Sequence, residues 1–161
     1  MEQNEQAQEQ DSIPNGFKRL PLGRGFTDAI QPCYHKMADG GVTLGLRVEQ
    51  QHCNMLGICH GGVLMTLADI AAASGVNMAC GKKGGSPTIN LSVDFISAGR
   101  LGQWLQADIT HTTVKRRFGF CSGAINSSAG IVARFNGTFY LPDHDGMRKT
   151  EKRAEGILGA P

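Results

Sequence analysis

The stretch that decides the fold runs from Cys53 to Ala73, CNMLGICHGGVLMTLADIAAA. A loop carrying Asn54 leads into His60-Gly61-Gly62, and a run of small and apolar residues follows with one carboxylate inside it, Asp69. Alanine, leucine and methionine dominate as far as Ala79, without proline, before the glycine-rich 81–85 and Ser86-Pro87. This predicts a helix over about 61–79 that ends at the glycine and proline punctuation. At 100° per residue, Asp69 shares a side with Gly62, Thr66, Ala73 and Asn77, and the other faces are apolar. Such a helix is a buried one, and its narrow polar stripe faces a cleft or a second subunit. A carboxylate on that stripe must be hydrogen-bonded, neutralised or chemically employed, because burying it bare is costly.

Outward from the helix the period changes. Val42 to Glu49 alternates as a half-buried strand does, after the turn signal Asp39-Gly40-Gly41. Beyond Pro87, Ile89, Leu91, Val93 and Phe95 alternate, then Leu105, Ala107 and Ile109, then Phe118 and Phe120, then Ile131 to Leu141. Turns are expected at 99–102, 115–117 and 127–130. The predicted order is one strand, one long helix and four strands on short connections, which favour antiparallel neighbours. That is an α+β domain whose sheet buries its apolar face on a single helix.

The 161 residues, 40% of them hydrophobic, suit one domain. It is placed at 16–142, between a polar tail at 1–15 expected to be disordered and a charged, flexible tail at 143–161. The net charge is +2, and basic residues cluster only at Lys115-Arg116-Arg117 and from Arg148 to Arg153. This argues against nucleic acid as a partner. No apolar run reaches about 18 residues without a polar break, so no membrane span is expected. The acidic, glutamine-rich start is unlike a signal peptide, and a cytoplasmic location is expected. Five scattered cysteines suit reduced thiols better than a disulfide framework. His52-Cys53 and Cys59-His60 match no common zinc spacing, so neither a metal nor another cofactor is expected.

The loop with Asn54, then His60-Gly61-Gly62, the helix with Asp69 and the strand series resemble the hotdog-fold acyl-CoA thioesterases, in particular the PaaI-like (phenylacetyl-CoA thioesterase-like) branch. The likeness runs over about Gly40 to Leu141 and is most specific in N-x5-H-G-G-x6-D, met by Asn54, His60, Gly61, Gly62 and Asp69. It implies a curved antiparallel sheet around a long central helix, dimers that often pair into tetramers, and Thr88 as the small hydroxyl residue of the strand after the helix.

The chemistry can be argued beside the resemblance. Thioester hydrolysis needs a polarised carbonyl and an attacking oxygen. A helix start offers unpaired N–H groups and the positive dipole end, and Gly61 and Gly62 let a carbonyl come close. Asp69 is then a general base on water or a nucleophile giving an anhydride. Its bland reading is a core carboxylate capped by Thr66. The family spacing implies that Asn54 orients water or the thioester oxygen and that Thr88 bonds Asp69 or water, while His60 would hold the loop or touch substrate. Arg100, Lys115, Arg116 and Arg117 are the candidate contacts for the phosphates of coenzyme A. Pocket walls are expected from Met55, Leu56, Val63 and Leu64. Gly61 and Asp69 lie about 12 Å apart along one helix, too far for one carbonyl, so two antiparallel helices in a homodimer would share two sites. A non-catalytic acyl-CoA-binding protein and a hotdog hydratase or dehydratase are the competing readings.

Overall fold

The computed structural model describes residues 13–38, 41–82 and 85–143. Seven strands form one sheet: β1 Lys18–Arg19, β2 Cys33–Ala38, β3 Gly41–Arg47, β4 Thr88–Phe95, β5 Trp104–Lys115, β6 Phe118–Ser127 and β7 Gly130–Tyr140. The long helix, α1, spans Gly61–Ala79, and short 3-10 turns occupy Gly25–Ile30 and Gln50–His52. The strands run in the order β1-β2-β3-β5-β6-β7-β4, and every pairing is antiparallel. This is the expected hotdog architecture. Most of the two tails lies outside the described residues.

Two features differ from the sequence expectation. β1 and β2 precede the first expected strand; CYHKMA places His35 and Lys36 in mid-strand and lacks a clear period-two signal. β4 is not the neighbour of β5 but pairs with β7 at the far end of the sheet. The connection 96–103 is long enough to carry the chain past the start of α1, where Cys59 N–H donates to Gly99 O over 2.7 Å.

α1 buries Leu64, Leu67, Ala68, Ala71, Ala72 and Val76 against the inner face of the sheet. Inward side chains of β6 and β7, among them Cys121, Ile125, Phe135 and Phe139, complete the core. Helix and sheet approach closely because small residues meet there. A β-carbon at Gly119 would stand 2.2 Å from Val76 Cγ1. By length and composition α1 could cross a membrane; its packed face makes it the core helix here. β4 is largely exposed, with Ile89 at 55% and Phe95 at 54%, and its free edge has no strand beside it among the described residues.

Candidate active site

The loop before α1 is held at both ends. His52 is buried, its Nδ1 accepting from Glu49 N–H over 2.9 Å and its Nε2 lying 3.1 Å from Ile30 O. That ring is therefore engaged by the backbone. Among the described residues no group of three His, Cys, Asp or Glu side chains could hold a metal. Asn54 folds its side chain back on the loop: Oδ1 accepts from Leu56 N–H at 2.9 Å and from Ile58 N–H at 3.4 Å. The carbonyl half of the amide is thus spent on a turn, and the Nδ2 donors are left for another acceptor.

His60 is the N-cap of α1. Its Nδ1 accepts from Gly62 N–H over 2.8 Å, while its backbone oxygen accepts from Val63 N–H at 2.9 Å and Leu64 N–H at 3.2 Å. Of the four N–H groups that a helix start leaves without intrahelical partners, His60 accepts from two, Gly62 and Val63, and its own N–H donates to His52 O over 2.8 Å. Gly61 N–H alone finds no acceptor among the described residues. This corrects the expectation for Gly62, whose N–H is taken by the cap; its missing side chain makes room for the imidazole, since a β-carbon there would stand 3.1 Å from Nδ1.

Gly61 and Asn54 both line a cavity of about 330 Å³, together with Leu64, Phe95 and Gly99. The alternation of the sequence makes Phe95 a strand residue only; in the structure its ring also lies over Gly61, where a β-carbon would meet Cζ at 3.2 Å. The alternation of β4 gave its face, but its position over the helix start follows from the unexpected β4–β7 pairing. Leu64 lines this cavity. Met55 and Leu56 are 99% and 76% exposed at the loop tip, and Val63 packs on the core. None of these three lines the cavity.

Asp69 stands two turns further along α1. Its Oδ1 accepts from Thr88 Oγ1 over 2.7 Å, which joins helix to β4. Thr66, considered as its cap, instead donates to Gly62 O at 2.8 Å. Oδ2 of Asp69 has no hydrogen bond among the described residues. The carboxylate is half-buried and oriented by one hydroxyl.

The basic candidates are not gathered in one place. Arg100 pairs with Ile58 beside the loop, whereas Lys115, Arg116 and Arg117 sit at the other end of β5, about 35 Å of strand away at roughly 3.3 Å per residue. Arg117 is engaged with Tyr140 and Asp143, whose hydrogen bonds hold its pKa above the ordinary value.

The thioesterase superfamily pattern matches residues 56–132, which take in the cap, the helix and strands β4 to β6. A Pseudomonas aeruginosa protein whose name assigns it provisionally to the esterases is 32% identical over 134 residues, 81% of this chain and 98% of its own. The chain belongs to the thioesterase superfamily. Among solved thioesterase-like structures, a variant of the phenylacetic acid degradation protein PaaI from Thermus thermophilus is 24% identical, with a TM-score of 0.64 over 73% of this chain and 98% of its own. A Streptococcus pneumoniae thioesterase protein solved with coenzyme A is 25% identical, with a TM-score of 0.62 over 72% and 90% of the two chains.

Proposed function

We propose that the protein is an acyl-CoA thioesterase, hydrolysing the thioester to a free acid and coenzyme A at sites shared between two subunits. The observation that carries this reading is the single free N–H of the helix start, Gly61, beside an Asn54 amide left with only donors to offer. Two N–H donors on residues that line one cavity suit an oxyanion. Coenzyme A in the Streptococcus pneumoniae neighbour supports the choice of thioester.

Asp69 lies about 12 Å along the helix from Gly61, beyond the reach of a base acting on the carbonyl held there. Asp69 of the partner subunit would meet it if two α1 helices ran antiparallel with β4 edges side by side. Exposed Ile89, Phe95 and Met65 favour that face for a second copy. In the general-base route, water attacks the thioester carbon and gives its proton to Asp69 of the partner subunit. Gly61 N–H and Asn54 Nδ2–H stabilise the oxyanion. The coenzyme A thiolate departs and takes up a proton. An attack by the carboxylate itself, followed by hydrolysis of the anhydride, uses the same groups.

The basic residues also make better sense in such a pair. Lys115 and Arg116 lie toward the C-terminal end of α1, so an antiparallel partner would bring them near this subunit's Gly61. The test is release of free coenzyme A thiol from a panel of aromatic and aliphatic acyl-CoAs, by native and Asp69→Ala protein. Turnover abolished in the variant supports the reading. Saturable binding of every acyl-CoA with no turnover by the native protein would leave a binding protein instead.

A further inference from the structure

Nothing in that chemistry uses the two cysteines that flank the Asn54 loop. Cys53 and Cys59 face each other across an isolated antiparallel bridge. On one side of them His60 N–H donates to His52 O over 2.8 Å, and on the other Asn54 N–H donates to Ile58 O over 2.9 Å. These bonds bracket the pair without belonging to it. Cys53 and Cys59 are thus the narrow, non-hydrogen-bonded kind of antiparallel pair, with α-carbons about 4.5 Å apart and side chains on one face. That separation falls within the roughly 4.4–6.8 Å that a disulfide spans. Both thiols are free. Cys53 is half-buried, whereas Cys59 is 4% exposed beside the cavity. Burial, and after it the neighbouring Cys53, pushes the Cys59 thiol up to about 12. Cys53 is the sulfur that solvent-borne reagents reach first.

We propose that Cys53 and Cys59 form a reversible disulfide, made by exchange with a low-molecular-weight disulfide, that controls the loop carrying Asn54. The Cys53 thiolate attacks one sulfur of the reagent RSSR, forming Cys53–S–S–R and expelling RS⁻, which takes up the proton Cys53 gave up. Cys59 then attacks the Cys53 sulfur, and the second RS⁻ leaves with the Cys59 proton. Two cysteine thiols are oxidised and one RSSR is reduced to two RSH. Closing the bond brings the β-carbons to about 3.8 Å and shuts residues 53–59 into a ring. Asn54 lies inside the ring, and Cys59 leads directly into the His60 cap. A displacement of about 1 Å at such donors can lower a rate about 100-fold.

The effect on turnover rests on the thioesterase reading; the bond does not. The native chain is incubated with oxidised glutathione, remaining thiols are alkylated, and the chain is cleaved after methionine with cyanogen bromide. Met55 lies between the two cysteines, so fragment 38–55 and fragment 56–65 separate unless a disulfide joins them. The expected result is a joined pair that dithiothreitol releases, with acyl-CoA turnover down at least tenfold in the oxidised chain and restored on reduction. Cys53→Ser, whose side chain is outside the cavity, keeps its turnover in oxidised glutathione and yields no joined pair. Separate fragments, glutathione left on Cys53, or a link to fragment 79–147 through Cys80 would overturn the proposal. So would a joined pair with unchanged turnover. If the reduced chain turns over no acyl-CoA, the thioesterase reading alone falls, and the fragments still report the bond.

Discussion

Thr88 Oγ1 donates to Asp69 Oδ1 over 2.7 Å, and this is the hydrogen bond that aims the carboxylate. Asp69→Asn keeps the shape and removes the proposed base, so turnover is expected to fall about 10²–10⁴-fold with folding intact. Thr88→Ala leaves the base but frees its rotamer; a loss of about tenfold in kcat is expected, with Thr88→Ser recovering most of it. Steady-state kinetics on the acyl-CoA turned over fastest would check both.

Complementation tests the sharing of sites. In the proposed homodimer, Asp69→Ala and Gly61→Val would each disable both sites of their own assembly. When the two inactive variants are dissociated together and reassembled, half the dimers are mixed, and each mixed dimer regains one native site. About a quarter of native turnover is therefore expected in a two-fold assembly. A mixture that stays inactive while mass spectrometry shows mixed dimers would place each site within one subunit.

The cap predicts a split between stability and activity. His60→Ala leaves Gly62 N–H without its 2.8 Å acceptor and should lower stability by about 0.5–2 kcal/mol. His60→Asn restores an acceptor and should recover most of that stability. Urea unfolding monitored by circular dichroism separates the two variants. With Gly62 N–H released in His60→Ala, the substrate carbonyl has a competing donor beside Gly61, and kcat should fall as well.

Gly119 lies where the sheet meets Val76. Gly119→Ala puts a β-carbon 2.2 Å from Val76 Cγ1 and should cost about 1–3 kcal/mol. Val76→Ala in the same chain removes the colliding methyls. The double variant should then lose less than the sum of the two single losses, a coupling that unfolding measurements would read.

Alkali gives a signed prediction. Burial pushes Cys33 and Cys59 up to about 12, from 9.0. Above pH 9 the unfolded chain gives up these protons while the folded chain keeps them, so stability is whole below pH 9 and declines from there toward pH 12. Each thiol adds a slope of about 1.4 kcal/mol per pH unit in that window. Replacing Cys33 with Ala should flatten the loss between pH 9 and 11, measured against the native chain. An unchanged slope would mean that Cys33 ionises freely in the folded state.

Much of this was legible in the residues themselves. The helix limits, the strand alternation and the turns after Lys115 and Ser127 are local patterns, and local patterns survive folding. Gly61 and Asp69 could be picked out because a bare backbone at a helix start and a carboxylate inside an apolar helix stand out, whereas Asn54 stood out mainly through the family spacing N-x5-H-G-G-x6-D. The pairing of β4 with β7 could not be read, because it is a choice among distant strands that no window of sequence contains. Phe95 over Gly61 was hidden for the same reason. The loss of Gly62 as a donor was hidden too, since it depends on the rotamer of His60.

The place of β4 has a consequence for how the chain is made. β4 has one hydrogen-bonded neighbour among the described residues, and that neighbour, β7, is the last of their strands to be synthesised. Until Gly130–Tyr140 is synthesised, Thr88 has no strand to hold it against α1, and Asp69 waits unaimed on a helix completed some fifty residues earlier. On the thioesterase reading proposed above, the carboxylate is therefore aimed only after β7 has been made, long after its own helix is complete.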